Sequence, residues 1–160
     1  MQSLFAPAFP DGNYNYWKSS LQAELPDGAI ATVVEHANRM TSPLSALVVE
    51  YYGGASGRVA SDATAFPHRN LPWSIVIAAQ WTNAAESSTQ RHWARAVDDA
   101  LRPFAAGAHL LAALDVDDVV SSAFGPNLLR LSRVKAKYDA NNFFRVNHNI
   151  SPSLTQSTSG

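Results

Sequence analysis

Cysteine is absent from this 160-residue chain, which excludes a disulfide framework, a thiolate nucleophile and a cysteine metal site, and leaves the redox compartment unread. Charge is scarce and balanced: 12 Lys and Arg face 13 Asp and Glu, for a net charge of -1. The basic residues do not cluster on one face, so nothing draws the chain to nucleic acid or to an anionic membrane. No apolar run reaches spanning length, and Met1 to Pro10 lacks the positive and apolar regions of a secretory signal. A soluble chain is expected, with its localisation open. A glycine-rich phosphate loop is also missing. Gly53-Gly54-Ala55-Ser56-Gly57 follows an expected strand but lacks the spacing and the following helix of a dinucleotide fingerprint. The same run falls one residue short of a nucleophile elbow, and Ser56 reads as turn chemistry. The five histidines, at 36, 68, 92, 109 and 148, form no i, i+4 pair, so no metal site is expected. Asn149-Ile150-Ser151 is formally a glycosylation sequon, but Pro152 follows it at once and we discard it.

What is present describes one globular domain. A hydrophobic fraction of 46% in 160 residues suffices for a single core. Pro26-Asp27-Gly28 opens a helix with Ile30, Val33, Val34 and Ala37 at helical spacing and Asp27 as N-cap, ending near Thr41-Ser42-Pro43. Leu44 to Tyr52 reads as a buried strand closed by Gly53-Gly54, and Trp73 to Trp81 as its antiparallel partner. Between them, Gly53 to Pro72 is a loop anchored by aromatic residues. A second helix runs from about Ser87 to Leu101 with Trp93, Ala96, Val97, Ala100 and Leu101 as its apolar stripe and Ser88 as cap. Further on, His109 to Leu114 is expected as a short strand, Val116 to Ala123 as a short helix, and Asn127 to Tyr138 as a longer helix with Leu128, Leu131 and Val134 inward. No internal repeat is visible. The sum is an α+β fold, an antiparallel sheet covered by amphipathic helices.

Two residues stand out chemically. Glu50, at the end of an apolar strand, is costly to bury unless it is paired or used; its plain reading is a salt bridge with Arg58 or Arg69. His68 sits at a loop tip stiffened by Pro67, where the plain reading of an imidazole is a hydrogen bond that holds the loop. Near the end, Tyr138 to Pro152 packs three aromatics and four asparagines into a segment without helix or strand pattern. Asparagine both donates and accepts and tolerates unusual backbone, so the segment is either built to grip a polar partner or is an ordinary capped turn.

The pattern Tyr138-Asp139-x-x-Asn142-x-Phe144-Arg145-x-Asn147-x-Asn149-Ile150 resembles the closing signature of berberine bridge enzyme-like, FAD-linked oxidases. Tyr16-Trp17-Lys18-Ser19, Gly53-Gly54, Ala65-Phe66-Pro67-His68-Arg69, Gln80-Trp81 and Gly125-x-Asn127-x-x-Arg130-Leu131 follow the same family's order, so the resemblance runs from about Pro10 to Pro152. It implies the C-terminal part of an FAD-dependent oxidoreductase that oxidises alcohols or amines with flavin and dioxygen. It implies a substrate-domain portion over 10–136 and a berberine-like C-terminal motif over 137–152, between an N-terminal segment, 1–9, and a tail, 153–160, expected to be disordered. FAD would be held with an FAD-binding domain of the same or a neighbouring polypeptide, and the chain alone is not expected to be active. On this template Glu50 and His68 take catalytic roles, Tyr52 and Gln80 line a small-molecule substrate pocket, and Asn147 and Asn149 approach the cofactor. Arg145 pairs with Asp139 or meets the other domain. The resemblance also implies that an apolar patch around Trp73, Trp81 and Phe143 or Phe144 is left exposed. Two positions depart from the family: Phe124 stands where many members carry tyrosine, and Val76 where a polar or acidic residue is common. The competing reading is a non-catalytic α+β binding or interaction module derived from such an enzyme.

Overall fold

The computed structural model describes residues 10–110, 120–146 and 148–152. Three strands, β1 (Tyr14–Gln22), β2 (Ala46–Tyr51) and β3 (Trp73–Trp81), form an antiparallel sheet in the order β1-β3-β2. The helix α1 (Asp27–Ala37) connects β1 to β2. These two strands therefore run parallel, one strand-width apart, and β3 fills the slot between them. After β3 come α2 (Ser87–Leu101), α3 (Val120–Phe124) and α4 (Leu128–Tyr138). This is the α+β class expected.

Alternation divides the sheet into two faces. Ile75, Ile77, Ala79 and Trp81 of β3, with Tyr16 of β1, pack against Trp93, Ala94, Val97 and Leu101 of α2, which lies across β1 and β3. That cluster is the main core, and β3 runs between the residues anticipated. The residues of α2 recur at helical spacing because 3.6 residues per turn returns one stripe to the sheet. Lys18 is drawn into this face by Asp98 of α2, at 3.6 Å. The other face carries Trp17, Ser19 and Leu21 of β1, Val48 and Glu50 of β2, and Ser74, Val76, Ala78 and Gln80 of β3. Here Leu21 packs with Leu71, Ala108, Phe66 and Leu110. The segment 106–110 is held on the free edge of β1 by Ala106 N donating to Leu21 O and Leu21 N to Ala108 O.

The structure departs from the expected pattern at several elements. β1 was not anticipated as a strand. β2 is shorter than expected and half-buried, because it is an edge strand among the described residues. In α1 the inward residues are Ala29 and Val33, while Ile30 and Val34 are exposed; Asp27 is the first helical residue and Pro26 the cap. Val134 of α4 faces outward and Ser132 is buried, its hydroxyl donating to Ser151 O at 2.6 Å. Ser88 does not cap α2, whose cap position is Glu86. His109 and Leu110 are not in a strand, and the rest of that segment, with residues 116–119 of the short helix expected from Val116, lies outside the described residues. The tail beyond 152 lies outside them too.

Candidate functional site

Where β2 ends, the chain leaves the sheet and folds over its second face. Gly54 turns it with φ +68, a conformation that glycine adopts without a Cβ penalty. Ser56 then closes the turn, its hydroxyl donating to Tyr52 O and Gly53 O, which is the turn role expected of it. Arg69 binds the far side of the same loop. Its guanidinium donates to Ser56 O and Thr64 Oγ1 and lies 5.1 Å over the Phe66 ring. Tyr52 N donates to Pro72 O at 2.6 Å, and Leu71 N to His68 O. The loop thus begins and ends beside β3.

Under it lies a cavity of about 260 Å³ lined by Tyr52, Ser56, Phe66, His68, Arg69 and Leu110. Tyr52 and His68, both anticipated, share this cavity. Glu50 adjoins it: alternation puts Glu50 and Tyr52 on one face, and the phenol donates to Glu50 Oε2 at 2.5 Å. Glu50 therefore pairs with a phenol and not with Arg58 or Arg69. Burial, then the hydrogen bond to Glu50 and its charge, push the Tyr52 pKa up to about 12. At neutral pH the phenol keeps its proton and points it at the carboxylate, so the proton acceptor of the pair is Glu50. Across from Glu50 in the β2–β3 register is Ser74, fully buried. Its hydroxyl falls short of a full hydrogen bond but lies near enough to the Tyr52 phenol to oppose that rise slightly.

The ring of His68 is held at Nε2, 2.8 Å from Ser122 O, and meets Phe66 edge to face. A carbonyl only accepts, so Nε2 carries hydrogen. His68 is in this respect a loop anchor as well as a cavity wall. Gln80 is not brought to the site. It sits six residues along β3 from Ser74, about 20 Å away at strand spacing, fully buried, with its backbone N–H and C=O both bonded to the Ser45 hydroxyl. The cavity instead recruits Ser56, Phe66, Arg69 and Leu110. The Phe66-Pro67-His68-Arg69 turn was a legible signal for two of these, whereas Leu110 arrives from a distant segment and carried none.

In the terminal segment, the Asp139 carboxylate accepts from the amides of Phe143 and Phe144 and pairs with Lys135 at 2.5 Å. Lys135 also donates to Phe144 O. The Lys135 ammonium, helped by the two amides, holds Asp139 below the usual carboxylate range. Arg145 therefore does not pair with Asp139. Asn142 takes φ 52 to make the turn, as asparagine tolerates. Phe143 and Phe144 are 78% and 75% exposed, and Tyr138 projects similarly. Trp81, expected in the exposed patch, is instead buried in the main core at 1%; Trp73 is half-buried against Tyr51. Asn149 is exposed, and Asn147 lies outside the described residues. Phe124 is buried with Ala123 against Val120, Leu128, Leu131 and Ile150. Among the described residues no helix is long and apolar enough to cross a membrane.

Comparison with known proteins agrees with this fold. The sequence model of the family described as berberine and berberine like matches residues 111–151. An uncharacterized FAD-linked oxidoreductase, YgaK, of Bacillus subtilis is 27% identical over 84% of this chain and 30% of its own length. Berberine bridge enzyme-like 17 of Arabidopsis thaliana is 33% identical over 63% of this chain and 23% of its own. Among solved structures, BBE-like 1 of Physcomitrella patens superposes with a TM-score of 0.80 at 27% identity, covering 89% of this chain and 31% of that one. Berberine bridge enzyme of Eschscholzia californica, at 22% identity and a TM-score of 0.81, shares the fold. The chain thus spans roughly a third or less of the relatives it matches, and its similarity is to berberine bridge enzyme-like FAD-linked oxidoreductases.

Proposed function

We propose that these residues form the substrate-domain portion of an FAD-dependent oxidoreductase that oxidises an alcohol or amine, with Glu50 as the proton acceptor at the substrate. The observation that carries this reading is the Glu50–Tyr52 pair beside the cavity: a carboxylate at the end of an edge strand, bonded to a phenol that stays protonated. An ionised carboxylate in reach of a substrate O–H or N–H is a general base. Tyr52 fixes its orientation, while His68 and Phe66 shape the wall.

A whole FAD does not fit the donor set of the described residues. The glycine-rich turn, 53–57, spends its serine on closing itself and leads into a three-residue 3-10 turn, not a helix whose N-terminus would hold a pyrophosphate. The cofactor comes with an FAD-binding domain, and Asn149, with Asn147, is suited to meet a polar edge of it.

The test is a chimera in which this chain replaces the matching part of Physcomitrella BBE-like 1, with flavin reduction followed on adding alcohols and amines without dioxygen. Glu50→Gln is expected to slow reduction by about 100-fold or more. Reduction at the parental rate in that variant overturns the assignment. The 160-residue chain alone, mixed with FAD, is expected to leave the visible absorption unchanged; a tight yellow complex counts against the division of labour. The second reading, a non-catalytic module, is favoured by Phe124 and Val76, which offer no proton; it requires that the chimera bind flavin and substrate without reducing it.

A further inference from the structure

We propose that Asn127 and Arg130, at the head of α4, are positioning residues that clamp loop 61–69 and so set His68 against the cavity. Asn127 is 7% exposed and spends its amide on two loop carbonyls, Ser61 O at 2.6 Å and Thr64 O at 3.0 Å. Two N–H donors from one planar group, aimed at residues three apart, fix the curvature of the loop between them. Arg130 donates to Asp62 O at 2.7 Å, between those two points. Four residues further on, the same junction accepts His68, through Nε2 to Ser122 O. Gly125 makes the approach possible. Its φ is +46, and a Cβ there would stand 3.4 Å from Pro67 Cγ and 3.6 Å from His68 Cε1.

Within the loop this stretch is tied by Arg69 to Thr64 Oγ1 and by Ala63 N to Ala60 O. Residues 61–65 are exposed and contribute nothing to the main core, so the site-bearing loop takes its shape from a segment more than 50 residues away in sequence. The two Asn127 bonds are part-buried and fully used, and polar contacts satisfied in this way fix local geometry. The functional weight of the clamp rests on reading the cavity as a substrate wall, but its test reads loop geometry and so fails separately from that reading.

The experiment uses the 160-residue chain. Asn127→Asp keeps the shape and removes both donors. It is expected to raise tryptic cleavage at Arg58 and Arg69 by tenfold or more and to move the His68 Cε1 proton resonance. The tryptophan fluorescence of the main core stays unchanged. Arg130→Lys, which keeps one donor, is expected to loosen the loop less. If Asn127→Asp does not fold, Asn127→Ala is judged by the same two readouts. Cleavage and His68 resonance like wild type in a folded Asn127 variant overturn the proposal, as does a general loss of structure without selective loop opening.

Discussion

Replacing Tyr52 with phenylalanine isolates the pair on which the functional reading depends. The phenol donates to Glu50 Oε2 at 2.5 Å, and its pKa rises from 10.0 to about 12 through burial and then through Glu50. The folded pKa lies above the unfolded one, so the stabilisation is fully present below pH 10 and is lost as pH climbs through 12. Two pH units correspond to a ceiling of about 2.7 kcal/mol. The phenol is only partly withdrawn from water, and screening brings the net contribution to about 1 kcal/mol. Tyr52→Phe should therefore be about 1 kcal/mol less stable near pH 8, a Tm loss of about 2–4 °C for a domain of this size, and the difference should shrink towards zero as pH approaches 12. Urea unfolding followed by tryptophan fluorescence at several pH values measures this, and a phenolate absorbance titration should lose its step near 12. Glu50→Gln keeps an acceptor but removes the charge, so the phenol should titrate nearer its ordinary value. A Tyr52→Phe chain with wild-type stability near pH 8, or a deficit that stays constant with pH, refutes the reasoning.

Two further outcomes follow from the packing and the terminal turn. Trp93 is almost wholly buried between α2 and the sheet, and its indole N–H donates to His36 O, tying α1 to α2; Trp93→Ala should cost about 3–5 kcal/mol in urea unfolding, and a loss below about 1 kcal/mol would contradict the core as described. Asp139 has its pKa lowered by Lys135 and the amides of Phe143 and Phe144, so its contribution is present above the ordinary carboxylate value and disappears as pH falls through the lowered one. Asp139→Asn should speed hydrogen exchange at Phe143 and Phe144 at neutral pH while sheet amides keep their protection; equal protection in both chains would show that the carboxylate does not hold the turn.

The elements legible in sequence were those whose own residues settle their burial. β3 carries apolar residues on both faces because it is central, and Trp73 and Trp81 marked its ends; α2 announced itself by the spacing of Trp93, Val97 and Leu101. β1 did not, because Lys18, Ser19, Ser20 and Gln22 look exposed until Asp98 and the segment 106–110 are placed beside them. In α1 the period was right and Val33 faces the core as expected, but Ile30 and Val34 do not. Hydropathy favours Ile30 and Val34, but Phe104 packs so close to Gly28 that the narrow side of the helix, with Ala29, turns inward. Glu50, Tyr52 and His68 were legible as unusual residues at turn-bearing positions, whereas the cavity that joins two of them needed Leu110 and the Asn127 junction, contacts that no local pattern encodes.

The second face of the sheet narrows the chemical question to one residue. Its members are Asn15, Trp17, Ser19 and Leu21 from β1, Ala46, Val48 and Glu50 from β2, and Ser74, Val76, Ala78 and Gln80 from β3. Of these, only Glu50 carries an ionisable side chain. Val76, two positions along β3 from Ser74, has no proton to exchange, and Phe124 is committed to an apolar cluster. Among the strand residues of this face, Glu50 is thus the one group able to exchange a proton, with Tyr52 and His68 beside it at the cavity. The same substitution, Glu50→Gln, then separates the two readings. In an enzyme it removes the base while the introduced amide oxygen still accepts from Tyr52 and holds the wall in place, so turnover falls with binding retained, whereas a binding module keeps its binding and has no turnover to lose.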